Sequence, residues 1–146
     1  MAGGYKKIKE AKTMKTVKYS RTGFRSVATN MDDYSEATNE GGYSLSANTG
    51  DGSKATNTGF RSSAINTGDR SEAKVAGDGS VAIVTGSNSK AKAGLGSAIV
   101  VVERGEFNGK TYPLLNIKAA IVDGEKIKAN TWYELRNGEF KEVRIW

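Results

Sequence analysis

The chain of 146 residues contains no cysteine and no histidine, and only one proline. Without thiols there are no disulfide staples, thiolate zinc sites or cysteine nucleophiles, and without imidazole there is no Ser-His-Asp triad. Cysteine usage therefore leaves the redox compartment unread. No apolar run approaches the roughly 20 residues of a membrane-spanning helix, so no membrane contact is expected. The lysine-rich start MAGGYKKIKEAKTMKTVKYS lacks the apolar stretch of a secretory signal. Synthesis in the cytoplasm is the default expectation, with release by other routes left open.

What is abundant is glycine, 18 residues of it, with Ser, Thr, Asn and Ala crowding the middle of the chain. That bias is shared by disordered low-complexity segments and by repetitive folds, and periodicity separates the two. Aligned on glycine, residues 23–102 fall into nine units: GFRSVATNM, DDYSEATNE, GGYSLSANT, GDGSKATNT, GFRSSAINT, GDRSEAKVA, GDGSVAIVT, the eight-residue GSNSKAKA, and GLGSAIVVV. Serine holds the fourth place at Ser26, Ser35, Ser44, Ser53, Ser62, Ser71, Ser80 and Ser89. A nine-residue period of this kind marks a solenoid.

Alternation across a strand puts the fourth, sixth and eighth residues of a unit on one face and the fifth and seventh on the other. Glu36, Lys54, Glu72, Lys74, Lys90 and Lys92 hold fifth or seventh places, so the Ser/Ala/Asn face points inward. The expected core is thin: serine and alanine ladders, an asparagine stack in the first five units, then Val75, Val84 and Val101. The glycine that opens each unit is expected to supply the permissive backbone of a corner.

A second period lies inside the first. Even units carry Glu36, Lys54, Glu72 and Lys90 at the fifth place, whereas odd units carry Val27, Leu45, Ser63, Val81 and Ala98. The coil is thus 18 residues, two nine-residue half-turns, and the fold class is all-β: a parallel β-solenoid of the β-roll kind with two sheets. Stacked about 4.8 Å apart, the even-unit charges alternate in sign. The odd sheet instead exposes Val27, Leu45, Ala47, Ile65, Val81, Ile83 and Val100, an apolar stripe that marks an interface. Three occupants are open: another copy of the chain, the basic N-terminal arm, or the C-terminal segment.

Three regions follow: a basic arm over 1–22, the repeat over 23–102 and a C-terminal β-hairpin cap module over 103–146. In the last, Asp-Gly and Asn-Gly turns sit between apolar-polar strands in KAAIVDGEKI and YELRNGEFKEV, a hairpin signal. Tyr112, Leu115, Ile117, Ile121, Trp132, Tyr133, Leu135 and Phe140 are its apolar stock, expected to cap the last coil against edge-to-edge aggregation. The net charge of +6 is concentrated at the start, where residues 1–25 hold 8 Lys/Arg against one acid. The arm is read as a solvated terminus, as a segment docked on the solenoid, or as a polyanion or nucleic-acid contact through Lys6, Lys7, Lys9, Lys12, Lys15 and Lys18. Helix, strand and disorder all remain open for it.

The run SANTGDGSKATNTGFRSSAINTGDRSEAKVAGDGSVAIVTGSNSKAKAGLGSAIVVVERGE, followed by IKAAIVDGEKIKANTWYELRNGEF, resembles Ser/Ala/Asn/Thr-Gly nonapeptide-repeat proteins of gut bacteria and their phages, a family largely without assigned function. The resemblance covers roughly residues 23–143 and implies a phage or prophage link, a virion or released particle as destination, and no inherited active site. GSVAIVTGSNSKAKAGLGSAIV is also similar to the β-roll heads of trimeric autotransporter adhesins, which implies oligomerisation through a sheet face. Their units are shorter, and no stalk follows here.

No catalytic constellation is present, and no cofactor is expected. Asp33, Asp51 and Asp69 recur at one corner, but the Gly-Gly-x-Gly-x-Asp calcium pattern is not matched, and no phosphate-binding glycine loop occurs. The expected function is that of a non-enzymatic structural or interaction protein, self-associating as a dimer, trimer or filament. The alternative is a binding module using the basic arm on nucleic acid or a host protein. A minor alternative is an adhesin-like or lattice-binding surface built on Thr49, Thr58, Thr67 and Thr85, although Lys74 and Lys92 interrupt a neighbouring threonine ladder.

Overall fold

A computed structural model describes residues 18–143. Ten strands wind in succession: β1 (Lys18–Arg21), β2 (Val27–Asn30), β3 (Glu36–Asn39), β4 (Leu45–Asn48), β5 (Lys54–Asn57), β6 (Ser63–Asn66), β7 (Glu72–Val75), β8 (Val81–Val84), β9 (Lys90–Lys92) and β10 (Ala98–Arg104). Three more follow: β11 (Leu114–Ile121), β12 (Tyr133–Arg136) and β13 (Glu139–Glu142). Odd-numbered strands β1 to β9 pair in parallel in one sheet, and even-numbered strands β2 to β10 pair in parallel in the other. Val27 pairs with Leu45 and Glu36 with Lys54, so one coil spans 18 residues and the fold is a parallel β-solenoid.

The interior is built of small residues because the two sheets lie close together. Ala28, Ala37, Ala64, Ala73, Ala82 and Ala91 are fully buried, as are Asn39, Asn57 and Asn66. A polar interior costs free energy unless every group is paired, and here the period of the chain supplies the partners. From Ser44 to Ser89 each fourth-place serine accepts, at Oγ, the N–H of the serine one coil earlier: Ser26 N–H reaches Ser44 Oγ at 3.0 Å, Ser44 reaches Ser62 at 3.0 Å and Ser62 reaches Ser80 at 3.0 Å. The same hydroxyl donates onward to a turn carbonyl, as Ser62 does to Phe60 O at 3.0 Å. Asparagine closes the other end of strands β2 to β6. Asn57 Nδ2 donates to Ser63 O on the opposite sheet at 3.3 Å, while its Oδ1 accepts Gly59 N–H at 3.2 Å. Among the described residues no buried side-chain nitrogen or oxygen lacks a partner.

The glycines act differently from the expectation of a permissive corner. The left-handed position is the third residue of each unit, and it falls on Arg25, Tyr34, Tyr43, Arg61, Arg70 and Asn88, with φ between 49° and 57°. The opening glycines are required by close approach instead. A Cβ on Gly59 would lie 2.0 Å from Gly41 O, and one on Gly68 would lie 2.0 Å from Gly50 O. Any side chain there would push neighbouring coils apart.

The strands extend past both expected boundaries of the repeat. Lys18, read as part of the basic arm, opens β1 and pairs with Glu36, its Nζ 3.6 Å from the carboxylate. The even-unit charge ladder therefore begins one coil earlier and runs Lys18, Glu36, Lys54, Glu72, Lys90. At the other end, β10 continues to Arg104 and pairs with β11 in antiparallel fashion. The Asn137-Gly138 turn forms the expected hairpin between β12 and β13, with both residues at positive φ, and Tyr133 pairs with Ala91 of β9. The Asp123-Gly124 turn does not join a hairpin. Asp123 Oδ1 instead accepts the N–H groups of Glu125 and Ile127, and the chain crosses from one sheet to the other. Val122, Ile127, Tyr133 and Leu135 are buried with the coil interior and close its C-terminal end.

Candidate functional site: the outer face of one sheet

The apolar stripe lies on the outer face of the sheet formed by β2, β4, β6, β8 and β10. Register stacks Leu45 on Val27, Ile65 on Ala47, Ile83 on Ile65 and Val100 on Ile83. Val27 is 51% exposed, while Leu45, Ala47, Ile65, Val81, Ile83 and Val100 are half-buried, their inward neighbours in each strand being fully covered. All seven expected residues are thus brought onto one surface.

The described C-terminal strands do not cover this surface; β11 widens it. Antiparallel pairing sets Ile121 opposite Ala98, Ala119 opposite Val100 and Ile117 opposite Val102, which continues the outer face by one strand. Ile117 and Ile121 are 65% and 68% exposed, and Leu115 and Tyr112 are also exposed. This corrects the assignment of these four residues to the packed stock of a cap; Tyr133 and Leu135 are the ones that fill it. The polar residues of β11 turn to the opposite side, where Lys118 lies 5.6 Å from the Phe140 ring centroid and Asn116 Nδ2 donates to Glu103 at 2.7 Å. The sequence pattern did not reveal this extension, because pairing partners of a strand outside the repeat are not written in its period.

The other sheet presents charge. Glu72 and Lys90 pair at 3.5 Å, and Trp132 lies across the lysines, 5.5 Å from Lys90 Nζ and 5.1 Å from Lys92 Nζ. Partial burial, with Lys74 nearby, holds the Lys92 ammonium below the usual lysine range, against the opposing pull of Glu72. The aspartates of the even-unit corner are committed to structure. Asp33 Oδ1 accepts Asp51 N–H at 2.8 Å, Asp51 accepts Asp69 N–H at 2.9 Å, and Asp69 accepts Ser87 N–H at 2.8 Å. Each carboxylate thereby stitches one coil to the next.

A concavity of about 310 Å³ lies beside the closing hairpin and includes Glu103, Arg104, Glu134 and Arg136. Its charges are likewise engaged. Arg104 Nε donates to Thr85 O at 2.7 Å, Glu134 pairs with Arg136, and Glu103 accepts the N–H groups of Asn137 and Gly138. Of the arm lysines, Lys18 has the strand position described above, and Lys6, Lys7, Lys9, Lys12 and Lys15 lie outside the described residues. Comparison with known proteins returns no matching family model, no matching curated protein and no matching solved structure. The class that the fold defines is the parallel β-solenoid, and function is argued from its surfaces.

Proposed function

We propose that the protein is a structural, self-associating solenoid whose contact is the uncharged face running from Val27 to Ile121. The observation that carries this reading is the placement of β11. The strand aims Ile117, Ala119 and Ile121 at the face already formed by Ile65, Ile83 and Val100, and turns Lys118 and Asn116 away from it. A face without charge suits a second copy, because two identical surfaces then meet without like-charge repulsion. Six strands, four residues deep, cover roughly 400 Å², so a dimer buries roughly 800 Å² from the face alone, below the roughly 1,200 Å² of stable specific interfaces and in the range of weak, transient association. Assembly through it is therefore reversible and concentration-dependent. The resemblance noted above would place such a scaffold in a phage-linked particle.

Light scattering over a concentration series, in low and high salt, tests the reading. The expected result is a multiple of the monomer mass that persists in high salt, and its loss in Ile65→Lys or Ile83→Lys with the β-sheet circular dichroism retained. Glu in place of Lys6, Lys7 and Lys9 should leave assembly unchanged. A monomer at every concentration overturns the proposal.

A further inference from the structure

The corner that leads into the even-numbered strands carries a column of aromatic rings that the coil does not need. Phe24, Tyr43 and Phe60 meet edge to face at centroid distances of 5.4 and 5.3 Å, yet they are 59%, 43% and 48% exposed. The interior is already closed beneath them by the serine ladder. Arg25 lies 5.5 Å from the Phe24 ring and Arg61 lies 5.9 Å from Tyr43, with Arg61 Nη1 donating to the Tyr43 hydroxyl at 2.9 Å. In the next coil the aromatic residue gives way to Asp78-Gly79. The column therefore ends in a shallow groove of about 480 Å³ lined by Tyr43, Phe60, Arg61, Asp78 and Gly79.

We infer that this groove binds a neutral saccharide. A pyranose offers an apolar C–H face, which an exposed aromatic ring matches, and an edge of hydroxyls, which a guanidinium and a carboxylate side by side bind as acceptor and donor partners. Tyr43 and Phe60 supply the rings, Arg61 is held in place by the Tyr43 hydroxyl, and Asp78 supplies the carboxylate. Gly79, with no side chain, leaves the wall open. Charge argues against a polyanion: the groove is lined by one arginine, Arg61, and one aspartate, Asp78, whereas nucleic-acid grooves are strongly positive.

The backbone provides a clean test. Tyr43 and Arg61 both hold φ near 50°, a conformation that glycine adopts freely, so Tyr43→Gly and Arg61→Gly remove the recognition groups without straining the turn. The probes are gluco-, xylo-, galacto- and manno-configured neutral oligosaccharides, screened as an array and then titrated by NMR on the Tyr43 and Phe60 ring resonances. Binding should shift those resonances, weaken about tenfold or more in Tyr43→Gly and in Asp78→Asn, and persist in the assembly-deficient Ile83→Lys. Failure of every array member to move the ring resonances overturns the inference. So does undiminished affinity in Tyr43→Gly, or a preference for single-stranded oligo(dT) over every sugar.

Discussion

At the residue scale, two kinds of special backbone position must be kept apart. The opening glycines are fixed by distance and the third residues by torsion. Substituting Gly68 by alanine puts a methyl group 2.0 Å from a carbonyl oxygen of the neighbouring coil, and overpacking of that severity is expected to cost about 3 kcal/mol or more. Substituting Arg70 by glycine relieves a left-handed arginine at φ 52°, and is expected to be neutral or to stabilise by up to about 1 kcal/mol. Urea unfolding of the two variants checks this, and equal losses would refute the distinction. The glycine period was plain in the sequence, but its cause was not. A third residue that is Arg, Tyr, Gly or Asn gives no visible signal of positive φ, whereas a recurring glycine invites the wrong torsional explanation.

Among the elements, the turn of the closing hairpin is tied to β10 by one carboxylate. Glu103 accepts from Asn116 Nδ2 and from the N–H groups of Gly138 and Asn137, and these bonds hold its pKa below the usual carboxylate range. A group whose pKa is lower in the folded than in the unfolded chain contributes stability above its unfolded value, about 4.3, and loses it as pH falls through the folded value. The amide proton shifts of Asn137 and Gly138 should therefore titrate below the ordinary glutamate range, and Glu103→Gln should abolish that step. Amide shifts that stay flat down to pH 2 would show that the hairpin does not depend on the charge. The β12–β13 hairpin itself was legible from Asn-Gly between apolar-polar runs. The destination of β11 was not, because Asp-Gly marks a change of direction without naming the strand that follows, and eleven residues separate Ile121 from Tyr133.

For the whole molecule, the alternation of charged and apolar half-turns was enough to define two sheets of opposite character. The apolar face was legible wherever the period ran, and the structure brings its seven residues together. What the period could not show was that the face is left uncovered by the described C-terminal strands and enlarged by β11, since only tertiary pairing decides which edge a strand joins. The lysine arm stands apart from this architecture in sequence; of its lysines only Lys18 falls among the described residues, and it has a place in the coil.

The small, hydrogen-bonded interior also governs how the fold responds to temperature. Unfolding a conventional core exposes mostly hydrocarbon and raises the heat capacity by about 12–15 cal/mol/K per residue, whereas exposing polar groups lowers it. Here much of the buried surface is Ser, Asn and Ala, so the two contributions oppose each other. Calorimetry should find a heat-capacity increment clearly below that ordinary value; an increment at or above it would contradict this account. A small increment makes the stability curve broad and flat, so a stack held together by serine and asparagine ladders would resist chilling far better than a hydrocarbon core of equal size.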